Sequence, residues 1–307
     1  MTLPTLFVVG AMKAGTTSVH RYLDQHPEFF VPLHEEPSWF AFAGRRPAFT
    51  APDDRPPTIN EGAVVDRDAY EALYRPARAD QTLVDVSPTY MYVPEAPERI
   101  ARLVPDARAV VVLRHPVDRA YSSFMHAMRE GREPIDDFAV ALAEEPIRIA
   151  QDCGFLWRYL DMGRYVAQVR RLHACLGTER TLVLLTEDLA ADPQAACARI
   201  VAFAGRDASF TFDTAVRHNV SGVPRSRWLH HMLSGGRQLR TVVGRPLAAV
   251  VGRERLRNLQ SQLQSRNLRR PSLDPELRQR LTAQLRNEIR ELSDLIERDL
   301  DHWIEPR

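Results

Sequence analysis

The stretch that decides the fold is residues 6–22, which read Leu6-Phe7-Val8-Val9-Gly10-Ala11-Met12-Lys13-Ala14-Gly15-Thr16-Thr17-Ser18-Val19-His20-Arg21-Tyr22. A short apolar, β-branched run stops at Gly10, and a second glycine, Gly15, precedes hydroxyl side chains and a helical pattern. This order predicts a strand, an anion-binding loop and a helix. Glycines let backbone N–H groups close around a phosphate, and the positive end of the helix dipole favours an anion there.

The loop differs from the Walker A loop of ATP-binding proteins at an important position. In the Walker A pattern a lysine follows the second glycine, and the next hydroxyl holds magnesium. Here Thr16 stands in place of that lysine, and Lys13 lies inside the loop. The sequence therefore favours a cradle for one phosphate, with a lysine close to its bridging oxygen, over an ATP–magnesium site. An ordinary strand-to-helix turn is the alternative interpretation.

The composition sets bounds on the class of protein. In 307 residues, 41 Lys and Arg balance 40 Asp and Glu, so net charge gives no reason to expect nucleic acid as a partner. The three cysteines lack metal-ligand spacing, which is typical of a reducing compartment. We find no export signal and no run of apolar residues long enough to span a membrane. We therefore expect a cytoplasmic protein with no membrane span.

Strand and helix patterns alternate along the first two thirds of the chain. Apolar runs predict strands at 82–86, 109–113 and 181–185, in addition to the opening strand and a short extended segment near Phe29. Helical patterns near 94–103, 118–129 and 193–203 follow the strands. This alternation predicts an α/β, P-loop-like three-layer fold with a central parallel sheet flanked by helices.

The remaining segments complete the predicted domain. Apolar spacing also predicts helices near 136–145, 154–161 and 163–175, whereas the proline-rich residues 44–62 predict a surface loop or lid. We expect one domain over 1–307, with an α/β core at 1–230 and a helical C-terminal extension at 231–307 packed on it. Within that extension, residues 276–300 predict one amphipathic helix.

A second candidate anion site follows the strand at 109–113. Arg114 ends this strand, and Ser122 lies in the helix that comes next. An arginine supplies a charged fork and a serine supplies a hydroxyl, so both suit one anion. Together with the loop, this pair predicts a ligand with two phosphate groups.

At this point the sequence resembles a known family, the sulfotransferases that use 3'-phosphoadenosine 5'-phosphosulfate. Residues 10–17 resemble the family's 5'-phosphosulfate loop, and residues 114–122 resemble its 3'-phosphate motif, with His115 in place of the usual aspartate. The resemblance extends through Asp85-Val86-Ser87-Pro88-Thr89-Tyr90 and covers most of residues 5–205. It is closest to the bacterial and heparan-sulfate-type branch.

The resemblance implies roles for individual residues. The loop residues would hold the 5'-phosphate, and Lys13 would stabilise the bridging oxygen as sulfate departs. Arg114 and Ser122 would hold the 3'-phosphate, and Arg225 would close over it from a late basic loop. Glu36 matches the general base, and His126 matches a histidine near the reacting centre. The nucleotide-binding set that we predict is Ala14, Gly15, Thr16, Thr17, Ser18, Arg114, Ser122 and Arg225.

The resemblance implies sulfuryl transfer to a hydroxyl, with adenosine 3',5'-bisphosphate as product and without a metal. Glu36, Glu35 and His126 remain alternative bases. The acceptor is a small molecule, a lipid or a glycan, and the protein is a monomer or a homodimer. Trp39, Phe40 and Phe42 would line an acceptor pocket or belong to the core. The rival functions are a P-loop kinase that uses ATP, and a non-catalytic nucleotide-binding regulator.

Overall fold

The main sheet contains five parallel strands in the order β2-β3-β1-β4-β5. The computed structural model describes residues 3–53, 55–214 and 272–305, together with the backbone of 223–224 and 268–269. The strands of this sheet are β1 (Leu6–Gly10), β2 (Phe29–Phe30), β3 (Thr82–Val86), β4 (Arg108–Leu113) and β5 (Thr181–Leu185). All neighbouring strands in this sheet are parallel, which confirms the predicted fold class.

Helices flank the sheet and connect its strands. They are α1 (Thr16–Leu23), α2 (Trp39–Phe42), α3 (Thr58–Gly62), α4 (Arg67–Ala72), α5 (Glu95–Leu103), α6 (Pro116–Arg129), α7 (Phe138–Ala143), α8 (Glu145–Ala150), α9 (Tyr165–Leu176), α10 (Thr186–Ala191), α11 (Pro193–Phe203), α12 (Pro275–Gln284), α13 (Arg286–Leu295) and α14 (Asp301–Ile304). A short antiparallel pair joins β6 (Val223–Pro224) to β7 (Leu268–Arg269).

The position of β1 in the sheet determines where the site forms. Leu6 is paired with Val84 of β3 on one side and with Arg108 of β4 on the other, and every residue of β1 is buried. Strands that are covered on both faces need a nearly continuous apolar sequence, which β1 and β4 have. Because the strands are parallel, the segments that follow β1, β3, β4 and β5 meet at one edge of the sheet.

Two helix predictions are wrong in detail. Residues 154–161, expected to be helical, form only a short 3₁₀ turn at Phe155–Trp157, and a second turn follows at Asp161–Gly163. The helix expected at 276–300 is broken at Leu285 and ends at Leu295. The break lets α12 pack on α6 while α13 packs on α9, and neither partner is visible in the local sequence pattern.

The C-terminal segment contacts the α/β core through charged and polar side chains. Arg278 of α12 forms an ion pair with Asp118 of α6 at 2.9 Å, and Arg298 forms one with Asp188 at 2.9 Å. The indole Nε1 of Trp303 donates to Glu187 over 2.9 Å. The predicted boundary between core and extension, near residue 230, lies outside the described residues and stays a prediction.

Hydrophobicity along the helices bears on the membrane prediction. In the described ranges, none of the helices combines the length and the apolar character needed to cross a lipid bilayer.

Candidate active site

The loop between β1 and α1 has the backbone shape that its glycines predict. Gly15 precedes α1 with a φ of 106°, a left-handed conformation that an L-residue with a Cβ adopts only at a cost. Lys13 adopts φ 68° in the same loop. Thr16 and Thr17 open α1, where the first amides of a helix have no partner inside it. The loop thus presents backbone donors and the positive end of a helix dipole to one point.

Neighbouring strands hold this loop in place. The amide of Ala11 donates to the carbonyl of Val112 in β4 over 2.8 Å. The hydroxyl of Thr186, directly after β5, lies 3.1 Å from the carbonyl of Ala14. Nη1 of Arg114 donates to the carbonyl of Lys13 over 3.1 Å. The two predicted anion sites are therefore in direct contact.

The residue after Arg114 explains how this chain tolerates a histidine in place of aspartate. Nδ1 of His115 accepts from the amides of Val117 (3.2 Å) and Asp118 (3.4 Å), so the imidazole caps the N-terminus of α6. Because Nδ1 accepts, the proton lies on Nε2, which is 2.9 Å from the carbonyl oxygen of Trp303. His115 therefore does the capping that aspartate does and also holds the C-terminal segment.

Helix α6 brings several functional candidates towards the loop. Ser122 is buried in its second turn, and His126 lies four residues later on the same face. Nη2 of Arg129 lies 2.7 Å from Nδ1 of His126. Since a guanidinium only donates, Nδ1 accepts and the neutral imidazole carries its proton on Nε2. Burial, together with the charges of Lys13 and Arg129, lowers the pKa of His126 to about 3.

Arg119 of the same helix is buried without an acidic partner in contact. Its Nη2 donates to the backbone carbonyls of Arg158 and Tyr159, while Nε and Nη1 have no hydrogen-bond partner. Burial lowers the pKa of this guanidinium, and the neighbouring Arg114 lowers it further. A buried, incompletely paired cation beside Arg114 adds positive potential to this side of the loop.

Glu36 lies on a tight turn before α2, and its charge interacts with that of Lys13 in the loop. Glu36 and Ser38 have φ values of 54° and 55°, both left-handed. Glu36 is exposed to solvent at the cleft that it lines. The protein atoms close to its carboxyl group nevertheless desolvate it and raise its pKa to about 7, against the opposing effect of Lys13. The neighbouring Glu35 is exposed and binds Arg21 at 2.6 Å.

The electrostatics of Lys13 complete the arrangement. Burial and then the charge of Arg129 lower the pKa of Lys13 to about 8, with smaller effects of Arg119 and Arg114, while Glu36 opposes them. Three arginines and one carboxylate, Glu36, therefore act electrostatically on this lysine, so positive charge is in excess around it. Such an excess of positive charge at a phosphate-type loop favours an anionic ligand.

The structure thus brings most of the predicted residues together. Lys13 acts electrostatically on both Glu36 and His126. Arg114 contacts the loop, and Ser122 shares the α6 face of His126. Arg225 lies outside the described residues. Among the residues that the structure describes, no group of three or more His, Cys, Asp or Glu side chains is placed to hold a metal ion.

A sequence profile described as "Sulfotransferase family" matches residues 4–210. The chain belongs to the sulfotransferase family. It is 30% identical to a sulfotransferase from Alicyclobacillus acidocaldarius, whose crystal structure matches with a TM-score of 0.76 over 99% of this chain and 100% of that one. The resemblance seen in the sequence is confirmed at the level of the family.

Curated relatives of this sulfotransferase include two enzymes named for heparan sulfate. Human bifunctional heparan sulfate N-deacetylase/N-sulfotransferase 3 is 26% identical over 215 residues, covering 66% of this chain and 22% of the relative. Mouse heparan sulfate glucosamine 3-O-sulfotransferase 6 is 25% identical over 204 residues, covering 66% of this chain and 52% of the relative. The chain spans about a fifth to a half of the length of these relatives.

Sequence reasoning gave no role to a buried polar network behind Glu36 in this sulfotransferase. Asp85 of β3 accepts hydrogen bonds from Tyr70 (2.6 Å), Tyr90 (2.8 Å) and Ser87 (2.7 Å). Ser87 in turn accepts from the amide of Ser38 over 3.0 Å, at the turn that carries Glu36. The sequence contains one indication of this network: the carboxylate of Asp85 interrupts a strand that is otherwise largely apolar and fully buried.

The aromatic residues after Glu36 belong to the core of this sulfotransferase. Trp39 and Phe40 are buried; Trp39 stacks on the ring of Tyr70, and Phe40 meets that ring edge-on. Different aromatics, Phe155 and Trp157, line a cavity of about 210 Å³ that opens beside Glu36. They come from the segment expected to be helical, which explains why the helical pattern gave no indication of this wall.

Proposed function

We propose that the protein transfers a sulfuryl group from 3'-phosphoadenosine 5'-phosphosulfate to a hydroxyl of a small-molecule or carbohydrate acceptor. The acceptor oxygen bonds to sulfur as the bond between sulfur and the 5'-phosphate oxygen breaks. The electron pair of that bond stays on the phosphate oxygen, and the acceptor proton passes to Glu36. The products are a sulfate ester and adenosine 3',5'-bisphosphate.

The observation that carries this proposal is the excess of positive charge at the loop. Arg114 contacts the backbone of Lys13, and burial together with the charges of Arg129, Arg119 and Arg114 lowers the pKa of Lys13. The donor brings a phosphosulfate and a separate 3'-phosphate, so the positive N-terminal end of α1 next to an arginine fork suits it. A nucleotide with phosphates at both ends thus fits the two adjacent anion sites.

Lys13 and the loop amides would neutralise the charge that develops on the leaving phosphate. Electrostatic stabilisation of this kind is usually the largest single contribution to catalysis. Lys13 is suited to it because its pKa of about 8 leaves it mainly protonated at neutral pH. Thr16 and Thr17 would hold the non-bridging oxygens, with Ala14, Gly15 and Ser18 as the rest of the predicted loop.

Glu36 suits the role of general base better than the two alternatives. Its pKa of about 7 lies close to neutral pH, where a base both accepts a proton and is available to do so. Glu35 is engaged by Arg21 at the surface. His126 has Nδ1 occupied by Arg129, so its Nε2–H donates and would stabilise negative charge at the reacting centre.

Two other functions remain as alternatives with distinct outcomes. A P-loop kinase would need the lysine after the second glycine, where this chain has Thr16. A nucleotide-binding regulator would bind the bisphosphate but turn over no acceptor. Binding alone does not require a carboxylate with a pKa near neutral pH beside the anion site, so Glu36 disfavours the regulator as an alternative.

The test supplies the sulfated donor with a panel of hydroxyl compounds and follows release of adenosine 3',5'-bisphosphate. We expect acceptor-dependent release from the wild-type protein and none from Glu36→Gln, with nucleotide affinity unchanged in the variant. Retained turnover in Glu36→Gln would assign the base to another residue. A folded protein that fails to bind the bisphosphate would contradict the proposed function as a whole. The cytoplasmic location and the oligomeric state stay predictions.

A further inference from the structure

The cavity beside Glu36 has mainly apolar walls and a small volume. Met12, Ile59 and Phe155 line a space of about 210 Å³, backed by the fully buried Trp157. This is below the roughly 300–1,000 Å³ of most small-molecule sites, so it takes a compact molecule or one unit of a larger one. Since Glu36 lies on its rim, a hydroxyl bound here would face the proposed base.

Arg132 lines the same cavity, but its charge is already engaged. Its guanidinium binds Asp53 at 3.3 Å and lies over the ring of Trp157, 5.1 Å from the ring centroid. Nη2 also donates to the backbone carbonyl of Pro56 over 3.2 Å. The side chains of Arg132 and Asp53 are each only 11% exposed. Arg132 therefore holds Asp53 and Pro56 beside the cleft and has little capacity left for a substrate anion.

Close packing at Gly154 also holds this side of the cleft in place. A Cβ built on Gly154 would lie 2.9 Å from Cγ of Pro57, which is closer than real side chains approach. Pro57 therefore sits directly on the backbone of the segment that carries Phe155 and Trp157. Pro57 packs on Gly154, and Arg132 binds Asp53 and Pro56, so this wall of the cleft is closely packed.

The other charged side chains that line the cavity are the carboxylates of Glu35 and Glu36. Glu35 binds Arg21, and Glu36 interacts electrostatically with Lys13 of the anion-binding loop. In the part of the lining that the structure describes, Arg132 is the cation, and it is paired with Asp53. A negatively charged acceptor would therefore enter beside two carboxylates and find no unpaired cation in this lining, and burial of an unpaired charge is costly.

We propose that the cleft binds an uncharged, mainly apolar alcohol, and that Arg132 shapes the cleft instead of binding an anionic substrate. This inference rests on the proposed function, since the bound hydroxyl is the one that would accept sulfate. It sets the acceptor of this protein apart from heparan sulfate, which the names of its curated relatives contain.

The test uses three alcohols on one scaffold: benzyl alcohol, 4-(hydroxymethyl)benzoate and 4-(aminomethyl)benzyl alcohol. Each is titrated by calorimetry at pH 7.5 into wild-type protein saturated with adenosine 3',5'-bisphosphate, which allows binding without turnover. We expect the neutral alcohol to bind at least ten-fold more tightly than the benzoate and more tightly than the amine. Equal or tighter binding of the benzoate, or no binding of any of the three, would overturn the inference.

A variant then tests the role of Arg132. Asp53→Asn leaves Arg132 without its carboxylate, so we expect the preference for the neutral alcohol over the benzoate to fall to three-fold or less. Asp80→Asn, which alters an exposed ion pair with Arg78 elsewhere, should keep the wild-type preference. An unchanged preference in folded Asp53→Asn would contradict the role given to Arg132. If Asp53→Asn does not fold, the wild-type ranking still decides the charge preference.

The outcomes separate this inference from the proposed function. Bisphosphate binding without the expected ranking of alcohols refutes the inference and leaves sulfuryl transfer standing. If the alcohols rank as expected but the protein does not bind the bisphosphate, the inference about the cleft is supported and the proposed nucleotide donor is refuted.

Discussion

Arg114 and Lys13, which lie 101 positions apart in the chain, are joined by a hydrogen bond of 3.1 Å from Nη1 to the backbone carbonyl. The arginine at the end of β4 thus fixes the backbone of the loop that carries the lysine. We expect Arg114→Ala to lower kcat as well as nucleotide affinity, each by about ten-fold or more, because hydrogen bonds to charged groups contribute roughly 1.5–3 kcal/mol. Steady-state kinetics with varied donor separates the two effects. A change confined to KM would mean that the contact does not position Lys13.

The pH dependence of kcat/KM should be bell-shaped and narrow. Activity needs Glu36 without its proton and Lys13 with its proton, so the profile rises through about pH 7 and falls through about pH 8. Lys13→Arg keeps a positive charge at all accessible pH values, so its residual activity should lose the alkaline limb and keep the acid limb. An alkaline limb unchanged in Lys13→Arg would assign that limb to another group.

Asp85 positions the turn that carries Glu36, and its negative charge adds to the effect of burial in raising the pKa of Glu36. Removing the negative charge should therefore move the acid limb of the pH profile below pH 7, while the alkaline limb stays in place. We expect Asp85→Asn to lower kcat about ten-fold, since the link through Ser87 to Ser38 is disturbed. Tyr70→Phe removes one donor to Asp85 but no charge, so it should leave the acid limb unmoved. The same shift in both variants would indicate general loosening instead.

Arg129 fixes the tautomer of His126. Nitrogen chemical shifts should show the proton on Nε2 and none on Nδ1 down to about pH 5, since the pKa lies near 3. Arg129→Met removes both the donor to Nδ1 and a nearby cation, so the pKa of His126 should rise and kcat should fall. Arg102→Met, at an exposed position of α5, is the matched control and should change neither quantity. An unaltered His126 spectrum in Arg129→Met would refute the link.

Much of the fold follows from uninterrupted local patterns. The strands at 82–86 and 181–185 and the helix at 193–203 have the predicted bounds, because each is an apolar or periodic run that ends at polar residues or glycine. The break at Leu285 could not be predicted in this way. It depends on α6 and α9, which are far away in sequence.

The residues of the candidate site likewise fall into those that the sequence reveals and those that only the structure reveals. Lys13 and Arg114 could be found from the sequence because a cation in a glycine loop or at a buried strand end has few structural reasons to be there. The roles of Arg129 and Arg132 could not, since they arise from contacts with His126, Asp53 and Trp157 that no spacing in the sequence encodes.

The central claim is that the loop binds a sulfate-donor nucleotide in place of ATP. Calorimetric titration of the full chain with adenosine 3',5'-bisphosphate and with ATP–Mg²⁺, on wild-type protein and on Arg114→Ala, tests it most directly. We predict that the bisphosphate binds at least ten-fold more tightly than ATP–Mg²⁺ and that Arg114→Ala removes this preference. Tighter binding of ATP–Mg²⁺, or a bisphosphate affinity that Arg114→Ala leaves unchanged, would contradict it.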